Sequence, residues 1–238
     1  MQVSEECIGC EVCVPYCPMG AISPNGGVVT IDQDECVECG ICLRGSHCPV
    51  DALYWPPEVE QWPRLVRKAF SDPLTPHKGT GLKGRGTEEM KTNDVTGRFR
   101  FGEFGMGMEF GRPGVGTRLS ELNKMSTALA KVGVQFEPAN PLSELMPDPS
   151  TGQLREDVLN EKVLSAIIEF KAPLEKLAEV ISVARKVATE LDTVFSWCLV
   201  SRVNPDGTVP TDPVLASLGM QARPNAKINM GLGRPLIS

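Results

Sequence analysis

Two closely spaced runs of cysteines mark the amino-terminal end of this 238-residue chain, and eight of its nine cysteines lie before residue 49. The first run, residues 7–18, has the spacing C-x2-C-x2-C-x3-C-P, and the second, residues 36–49, has the spacing C-x2-C-x2-C-x5-C-P. A secreted disulfide protein normally spreads an even number of cysteines over its length. Thiols packed this densely, in a chain with no recognisable secretory signal, indicate metal ligands in a reducing compartment, so we expect a cytoplasmic protein.

The two runs are copies of one unit. The first three cysteines of the first run recur 29 residues later, and Cys17-Pro18 corresponds to Cys48-Pro49. A unit this small exposes one of its faces unless a neighbour covers it. We therefore expect a pseudo-symmetric domain in which each copy covers the other.

Over residues 1–55 these motifs resemble those of the bacterial two-cluster ferredoxins. The resemblance implies two [4Fe-4S] clusters, in which each iron takes one thiolate. In this family the fourth cysteine of each run ligates the cluster of the other run. Carried over to this chain, the first cluster takes Cys7, Cys10, Cys13 and Cys48. The second cluster takes Cys36, Cys39, Cys42 and Cys17.

The second run departs from the family pattern, because five residues rather than three separate Cys42 from Cys48. The two extra residues enlarge the loop between the clusters. Since Cys48 serves the cluster of the other run, we expect ligation to survive. We expect the surroundings of the adjoining cluster, and hence its reduction potential, to change.

Composition argues against several functional classes. A formal net charge of -6 and an aromatic content of 5% argue against a nucleic-acid binder, which needs a positive face and stacking platforms. No apolar run approaches the roughly 18 residues of a membrane span, so none is expected. Structural zinc stays open as an alternative because zinc also takes four thiolates, although it needs neither a third cysteine at this spacing nor the following proline.

The rest of the chain falls into three further zones. We predict an α+β protein with a ferredoxin domain over residues 1–58 and an extended, basic, Gly- and Pro-rich arm over residues 59–97. A βαββαβ sandwich, the ferredoxin-like split βαβ arrangement, follows over residues 98–205, and an extended tail follows over residues 206–238. Within the sandwich, alternation predicts strands at residues 98–101, 134–137, 166–170 and 194–203. Helical spacing of apolar residues predicts one helix over residues 119–132 and another after Pro173.

A few single residues have competing interpretations. His47 is expected to be a loop residue, because eight cysteines leave no ligand position for it, and Cys198 is expected to pack in the core. Tyr16 is expected to cover a cluster from water. The acidic first zone is either a solvated surface or a docking face for a basic partner. The glycine-rich arm is a plain linker, folds back on the acidic domain or lies along another subunit. We expect the last, and a nucleotide site in the arm is not expected.

These features predict an electron-transfer subunit that relays single electrons through two clusters to or from a larger catalytic redox subunit. No catalytic residues are predicted, because the chain has neither a nucleophile motif nor a nucleotide fingerprint. The alternative is a self-contained iron–sulfur enzyme with its active site in residues 98–238.

The ligand exchange between the runs makes a direct prediction. Replacing Cys17 with alanine should damage the cluster of Cys36, Cys39 and Cys42 more than the cluster of the first run, because Cys17 is assigned to the second cluster. Electron paramagnetic resonance (EPR) of the reduced variant measures which cluster is lost. Loss of the first-run cluster instead would show that the exchange is wrong.

Overall fold

The computed structural model describes residues 1–76, 98–112 and 114–222. The cysteine-rich segment contains two short antiparallel strand pairs and one helix. One pair joins β1 (Gln2–Val3) to β4 (Leu53–Tyr54), and the other joins β2 (Ile22–Asn25) to β3 (Val28–Ile31). The helix is α1 (Ile41–Gly45). Each pair therefore joins the strand before one cysteine run to the strand after the other.

The hairpin between β2 and β3 closes through a two-residue turn. Asn25 pairs with Val28, and the two glycines between them have φ angles of 61° and 89°. Two successive residues with positive φ define the turn that matches the twist of a hairpin, and glycine adopts it without steric cost. A small core of Met1, Ile22, Val29 and Leu53 packs beneath the two strand pairs, together with two of the cysteines.

The two extra residues of the second run lengthen a helical turn. In the first run a single 3-10 turn, Val14–Tyr16, connects Cys13 to Cys17. In the second run α1 takes its place, followed by Ser46 and by His47 in a left-handed conformation with φ 48°. The additional length is thus taken up by a regular helix rather than by an open loop.

The remainder of the chain is built around a four-stranded antiparallel sheet. Its strand order is β10-β5-β9-β7, from β5 (Glu103–Phe110), β7 (Gln135–Phe136), β9 (Ala166–Pro173) and β10 (Phe195–Ser201). Two helices, α3 (Leu119–Val132) and α4 (Leu177–Ala188), pack on one face. A two-stranded pair, β6 (Thr117–Arg118) with β8 (Lys162–Val163), lies beside them. The described chain therefore has the mixed helix and strand content of an α+β protein.

The core lies between the sheet and these helices. Alternate residues of β5, Phe104, Met106, Met108 and Phe110, are fully or almost fully buried. The apolar face of α3 meets them, as the 3.6-residue period predicts for residues 119–132. The helix ends at Gly133, whose φ of 81° is readily adopted by glycine.

The first strand of this sheet was predicted in the wrong place. Residues 98–101 form no strand; instead, the Glu103 carboxylate accepts a hydrogen bond from the Arg100 backbone N–H and closes a turn. The strand is β5, five residues later. Its Gly105 and Gly107 made the segment look unlike a strand, yet they lie on the face opposite the buried Phe and Met residues. Both glycines are themselves buried, with β9 and β10 paired on either side, and a β-carbon at Gly107 would lie 3.0 Å from Cys198 Sγ.

The expected arm and tail are not wholly extended. Within residues 59–97 the structure has α2 (Leu65–Ser71), and within residues 206–238 it has α5 (Asp212–Ser217). Val66 and Phe70 of α2 join the core of the sheet region, which gives this short helix its stability. Residues 77–97 and 223–238 lie outside the described residues. Among the described residues, no helix has the length and apolar character needed to cross a bilayer.

Helix α2 connects the cysteine-rich segment to the rest of the chain through Arg67, which is only 4% exposed. Its guanidinium donates hydrogen bonds to the backbone carbonyls of Gln33, Asp34 and Cys36 and forms an ion pair with Glu161. A buried guanidinium is stable only when its donors are satisfied. Arg67 therefore ties the loop before the second cysteine run to the sheet region.

The packing of α3 makes a prediction about stability. Leu129 is fully buried, so Leu129→Ala should lower the free energy of unfolding by about 2–5 kcal/mol. The control is Lys131→Ala, an exposed change on the same helix, which should stay within about 0.5 kcal/mol of the parent. Anaerobic denaturant unfolding measures both values. Equal losses would contradict the position of α3 in the core.

Candidate metal centre

The eight amino-terminal cysteines line two cavities. One cavity is lined by Cys7, Cys10, Cys13 and Cys48. The other is lined by Cys17, Cys36, Cys39 and Cys42. Each cavity is therefore bounded by three cysteines of one run and one of the other, which are the two groups predicted from the sequence. We call them the first-run and second-run cavities.

Both cavities are otherwise mainly apolar. The first-run cavity is lined by Val3, Ile8, Val12, Val29 and Leu53 among others, and the second-run cavity by Met19, Ile22, Ile31 and Val37. A single zinc ion needs its four sulfurs about 2.3 Å from one point. Within the described ranges, no three Cys, His, Asp or Glu side chains converge in that way. Four thiols that line a cavity without converging on one point fit a multi-atom group better than a single ion.

The backbone of the two runs follows the same path. Gly9 and Glu11 have φ angles of 65° and 60°, and their counterparts 29 residues later, Glu38 and Gly40, have 57° and 66°. Such left-handed residues, alternating with right-handed or extended ones, turn successive N–H groups to one side and create a concave site for anions. A glycine at two of these four positions is visible in the sequence, whereas the strained conformation of Glu11 and Glu38 is not.

Each fourth cysteine accepts a hydrogen bond from a backbone N–H. The Ala21 N–H donates to Cys17 Sγ at 3.2 Å, and the Ala52 N–H donates to Cys48 Sγ at 3.4 Å. These are equivalent positions in the repeat. Hydrogen bonds to ligating sulfur stabilise the thiolate and raise the potential of a bound cluster.

Burial disfavours thiolates in the cavities when no cation is present. It raises the pKa of the Cys13 and Cys39 thiols and raises the pKa of Cys42 to about 12, with the neighbouring thiols adding to each rise. Metal cations reverse this preference because a coordinated thiol loses its proton. The cavities thus suit thiolates only when positive metal ions lie among them.

The two cavities differ in exposure. Cys10 is exposed and Ile8 is 61% exposed at the first-run cavity, whereas Cys39 and Cys42 are buried at the second-run cavity. The second-run cavity lies beneath α2 and the residues before it, where Arg64 bonds the buried Glu38 carboxylate at 2.5 and 3.0 Å. The first-run cavity is therefore the one nearer the surface.

Three single-residue expectations have different outcomes. His47 is an exposed loop residue, as expected. Tyr16 is outside the lining of both cavities and instead packs against Gly45, at a distance that a β-carbon there would not allow. Cys198 is exposed on β10, where it faces Gly107, so the expectation that it packs in the core is wrong. Its position on the outer face follows from the alternation of the edge strand, whose Trp197 and Leu199 point to the core.

Two guanidinium groups beside the second-run cavity were not predicted from the sequence. Arg44 donates to the Cys39 carbonyl at 2.7 Å, and Arg67 donates to the Cys36 carbonyl at 2.9 Å. Arg44 stands out in the sequence as the single Lys or Arg of residues 1–60, but nothing in the local sequence indicates that it contacts a ligand loop. Arg67 reaches its target only because α2 packs there.

The tight turn at Gly9 makes a prediction about iron content. A β-carbon at Gly9 would lie 2.3 Å from the Gly27 carbonyl oxygen, so Gly9→Ala should displace the first-run loop and lower bound iron toward half. The control is Gly20→Ala, which has nearly the same φ, 64°, and no atom within 4 Å of the added carbon. Gly20→Ala should lower the free energy of unfolding by about 1–2 kcal/mol, the cost of a left-handed alanine, and should retain its iron. Iron analysis of anaerobically purified protein separates them, and equal retention would contradict the close contact.

Comparison with known proteins finds relatives of the cysteine-rich segment. The 4Fe-4S dicluster domain family matches residues 6–52. A ferredoxin of Saccharopolyspora erythraea is 35% identical over 88 residues, which are 35% of this chain and 81% of the relative. A ferredoxin of Rickettsia felis is 35% identical over 63 residues, 25% of this chain and 56% of the relative.

A third relative has a more specific name. The pyruvate synthase subunit PorD of Methanocaldococcus jannaschii is 43% identical over 51 residues, 21% of this chain and 57% of the relative. The chain thus spans little more than half the length of the Rickettsia and Methanocaldococcus proteins. No solved structure matches the chain significantly. Through its cysteine-rich segment the chain belongs to the ferredoxins, and that segment is an iron–sulfur electron-carrier domain of the 4Fe-4S dicluster type.

Proposed function

We propose that the protein is an electron-transfer subunit that binds two [4Fe-4S] clusters and serves a larger catalytic redox subunit. The observation that carries the proposal is the pair of apolar cavities, each lined by three cysteines of one run and one of the other. A [4Fe-4S] cluster takes four thiolates and exchanges single electrons when bound. Bond-making chemistry is not required of the chain.

The ligand sets are part of the proposal. In the first-run cavity Cys7, Cys10, Cys13 and Cys48 hold one cluster, and in the second-run cavity Cys36, Cys39, Cys42 and Cys17 hold the other. The valine, isoleucine and methionine side chains of the linings exclude water. The N–H groups of Ala21 and Ala52 stabilise the sulfurs of the two exchanged cysteines.

The exchange also keeps the two sites close together. Cys13 lines one cavity and Cys17 the other, with one 3-10 turn between them. Cys42 and Cys48 make the same connection through α1. Short connections of this kind favour electron transfer between the clusters and support a relay rather than two independent carriers.

We place the exchange of electrons with the partner at the first-run cavity. Its exposed apolar side chains, Ile8 and Val12, belong to the same stretch of chain as the exposed carboxylates of Glu5, Glu6 and Glu11. The carboxylates near the other cavity have partners within the chain instead: Asp34 pairs with Arg118, Glu35 with Lys162, and Glu38 with Arg64. Some carboxylates of the acidic zone are thus paired within the chain, and others are exposed. The exposed ones suit a partner that carries basic residues around an apolar centre.

The division of the chain supports a dedicated partner. We propose that residues 1–58 carry the clusters and that residues 98–205 form a split βαβ sandwich, which the strand order β10-β5-β9-β7 supports. Residues 59–97 and 206–238 would then make further contacts with the catalytic subunit. PorD is by its name a subunit of an enzyme complex, which favours the same arrangement. A reducing compartment such as the cytoplasm suits eight free thiols.

Anaerobic affinity purification from the native host tests the proposal. The parent chain should recover a larger redox subunit, and Glu5→Lys/Glu6→Lys should recover several-fold less of it at about 0.1 M salt, because attraction to a basic surface is lost. The control is Glu175→Lys/Glu179→Lys, which makes the same charge change at two exposed positions, one just before α4 and one in its first turn. It should match the parent, and all three proteins should hold equal iron.

Other results would contradict the proposal. An iron-replete parent chain recovered alone would argue against a dedicated subunit. Substrate turnover by that isolated chain would favour the self-contained enzyme with its site in residues 98–238. A zinc-bearing, iron-free chain would favour the structural zinc alternative.

A further inference from the structure

The second-run cavity has an arrangement of positive charge that the ferredoxin segment alone does not provide. Arg67 Nη1 lies 2.9 Å from the carbonyl oxygen of Cys36, and Arg44 Nη2 lies 2.7 Å from the carbonyl oxygen of Cys39. Both carbonyls belong to cysteines of that cavity. Arg67 lies beyond residues 6–52, the part of the chain that the ferredoxin family covers.

Each guanidinium also has a carboxylate partner. Arg67 donates through Nε to Glu161, which belongs to the sheet region, and Arg44 pairs with Asp72 at 2.9 Å, just after α2. Arg67 uses different nitrogens for the carbonyl and the carboxylate, whereas Nη2 of Arg44 contacts both. In both cases the guanidinium is the charged group that bonds the cysteine loop directly, so the field at the loop is positive, reduced by the carboxylate partner.

One negative group also lines this cavity. The Glu38 carboxylate is buried, and it is paired with Arg64 and with the amino group of Met1. Two cations therefore face this one carboxylate, and Arg44 and Arg67 add positive groups that are hydrogen-bonded directly to carbonyls of the second-run loop. Around the first-run cavity, the side chains of Glu5, Glu6 and Glu11 are exposed, where water screens them.

We propose that Arg67, assisted by Arg44, is a positioning residue that selectively raises the reduction potential of the cluster held in the second-run cavity. Reduction adds one negative charge to the cluster, and a buried cation hydrogen-bonded to the ligand loop stabilises that charge more than the charge of the oxidised state. The inference rests on the proposed ligand sets. It implies that the structure attached behind the ferredoxin segment controls one of the two clusters and leaves the other unchanged.

The test is an anaerobic redox titration followed by EPR on the iron-replete full chain. Cys13→Ser and Cys42→Ser, which keep an oxygen ligand, mark the two signals by changing the g values of one cluster each. Arg67→Gln should shift the electron distribution between the clusters about tenfold away from the second-run cluster, which corresponds to a fall of about 59 mV in its potential. Arg67→Lys, which keeps the charge, should restore part of the shift.

Two further variants serve as a second test and as a control. Arg44 has a partly exposed side chain, so Arg44→Gln tests the same effect if Arg67→Gln does not fold. Arg118→Gln is the matched control: Arg118 bonds the side chain of Asp34 in the same loop but donates to the carbonyl of Asn160 rather than to that of a cysteine. Arg118→Gln should change the reduction potential of either cluster by only a small fraction of the change that Arg67→Gln causes.

Different results would overturn the inference alone or the proposed function together with it. Intact clusters with unchanged potentials in the Arg67 and Arg44 variants would overturn the inference and leave the proposed function standing. An equal shift of both clusters, or an equal shift in Arg118→Gln, would also overturn it. A parent chain that binds no iron would overturn the proposed function and the inference together.

Discussion

The structure of the amino-terminal segment depends on the exchange of one cysteine between the two runs. Neither run can complete the lining of a cavity, because Cys17 faces the second-run cavity and Cys48 faces the first-run cavity. The strand pairs show the same exchange, since each joins a strand that flanks one run to a strand that flanks the other. Because ligand binding by a site absent from the unfolded chain contributes directly to folding, the metal and the pairing of the copies stabilise each other.

A second constraint joins this segment to the rest of the molecule. Arg67 is almost completely buried, its Nη1 donates to three carbonyls of the cysteine-rich segment, and its Nε donates to Glu161 of the sheet region. Removing it would leave those carbonyls and that carboxylate without their partner, a loss of several kcal/mol for a buried pair. The orientation of the loop before the second run is thus fixed by a residue from outside the segment.

The sequence predicted the features that depend on local spacing. The repeat could be read from the cysteine spacing, while the assignment of each fourth cysteine to the other cluster came from the resemblance to two-cluster ferredoxins and stays a prediction. Helices α3 and α4 could be read from apolar residues at helical intervals. Prediction from the sequence failed for elements whose structure is determined by contacts with residues far away in the chain. Strand β5 was hidden because its outer face is glycine, and α2 was missed because it is too short to show a period and is held by contacts with distant residues. Arg67 was missed for the same reason, since its carbonyl partners lie more than 30 positions away.

The replacement of a 3-10 turn by α1 explains how the chain accommodates unequal spacing in its two halves. The longer second run gains its residues inside a helix, while β4 still pairs in register with β1 and the Ala52 N–H still reaches the sulfur of Cys48. The distance between third and fourth cysteines is therefore a variable that the architecture tolerates. Patterns that demand a fixed gap at this place would overlook chains in which both sites are fully assembled.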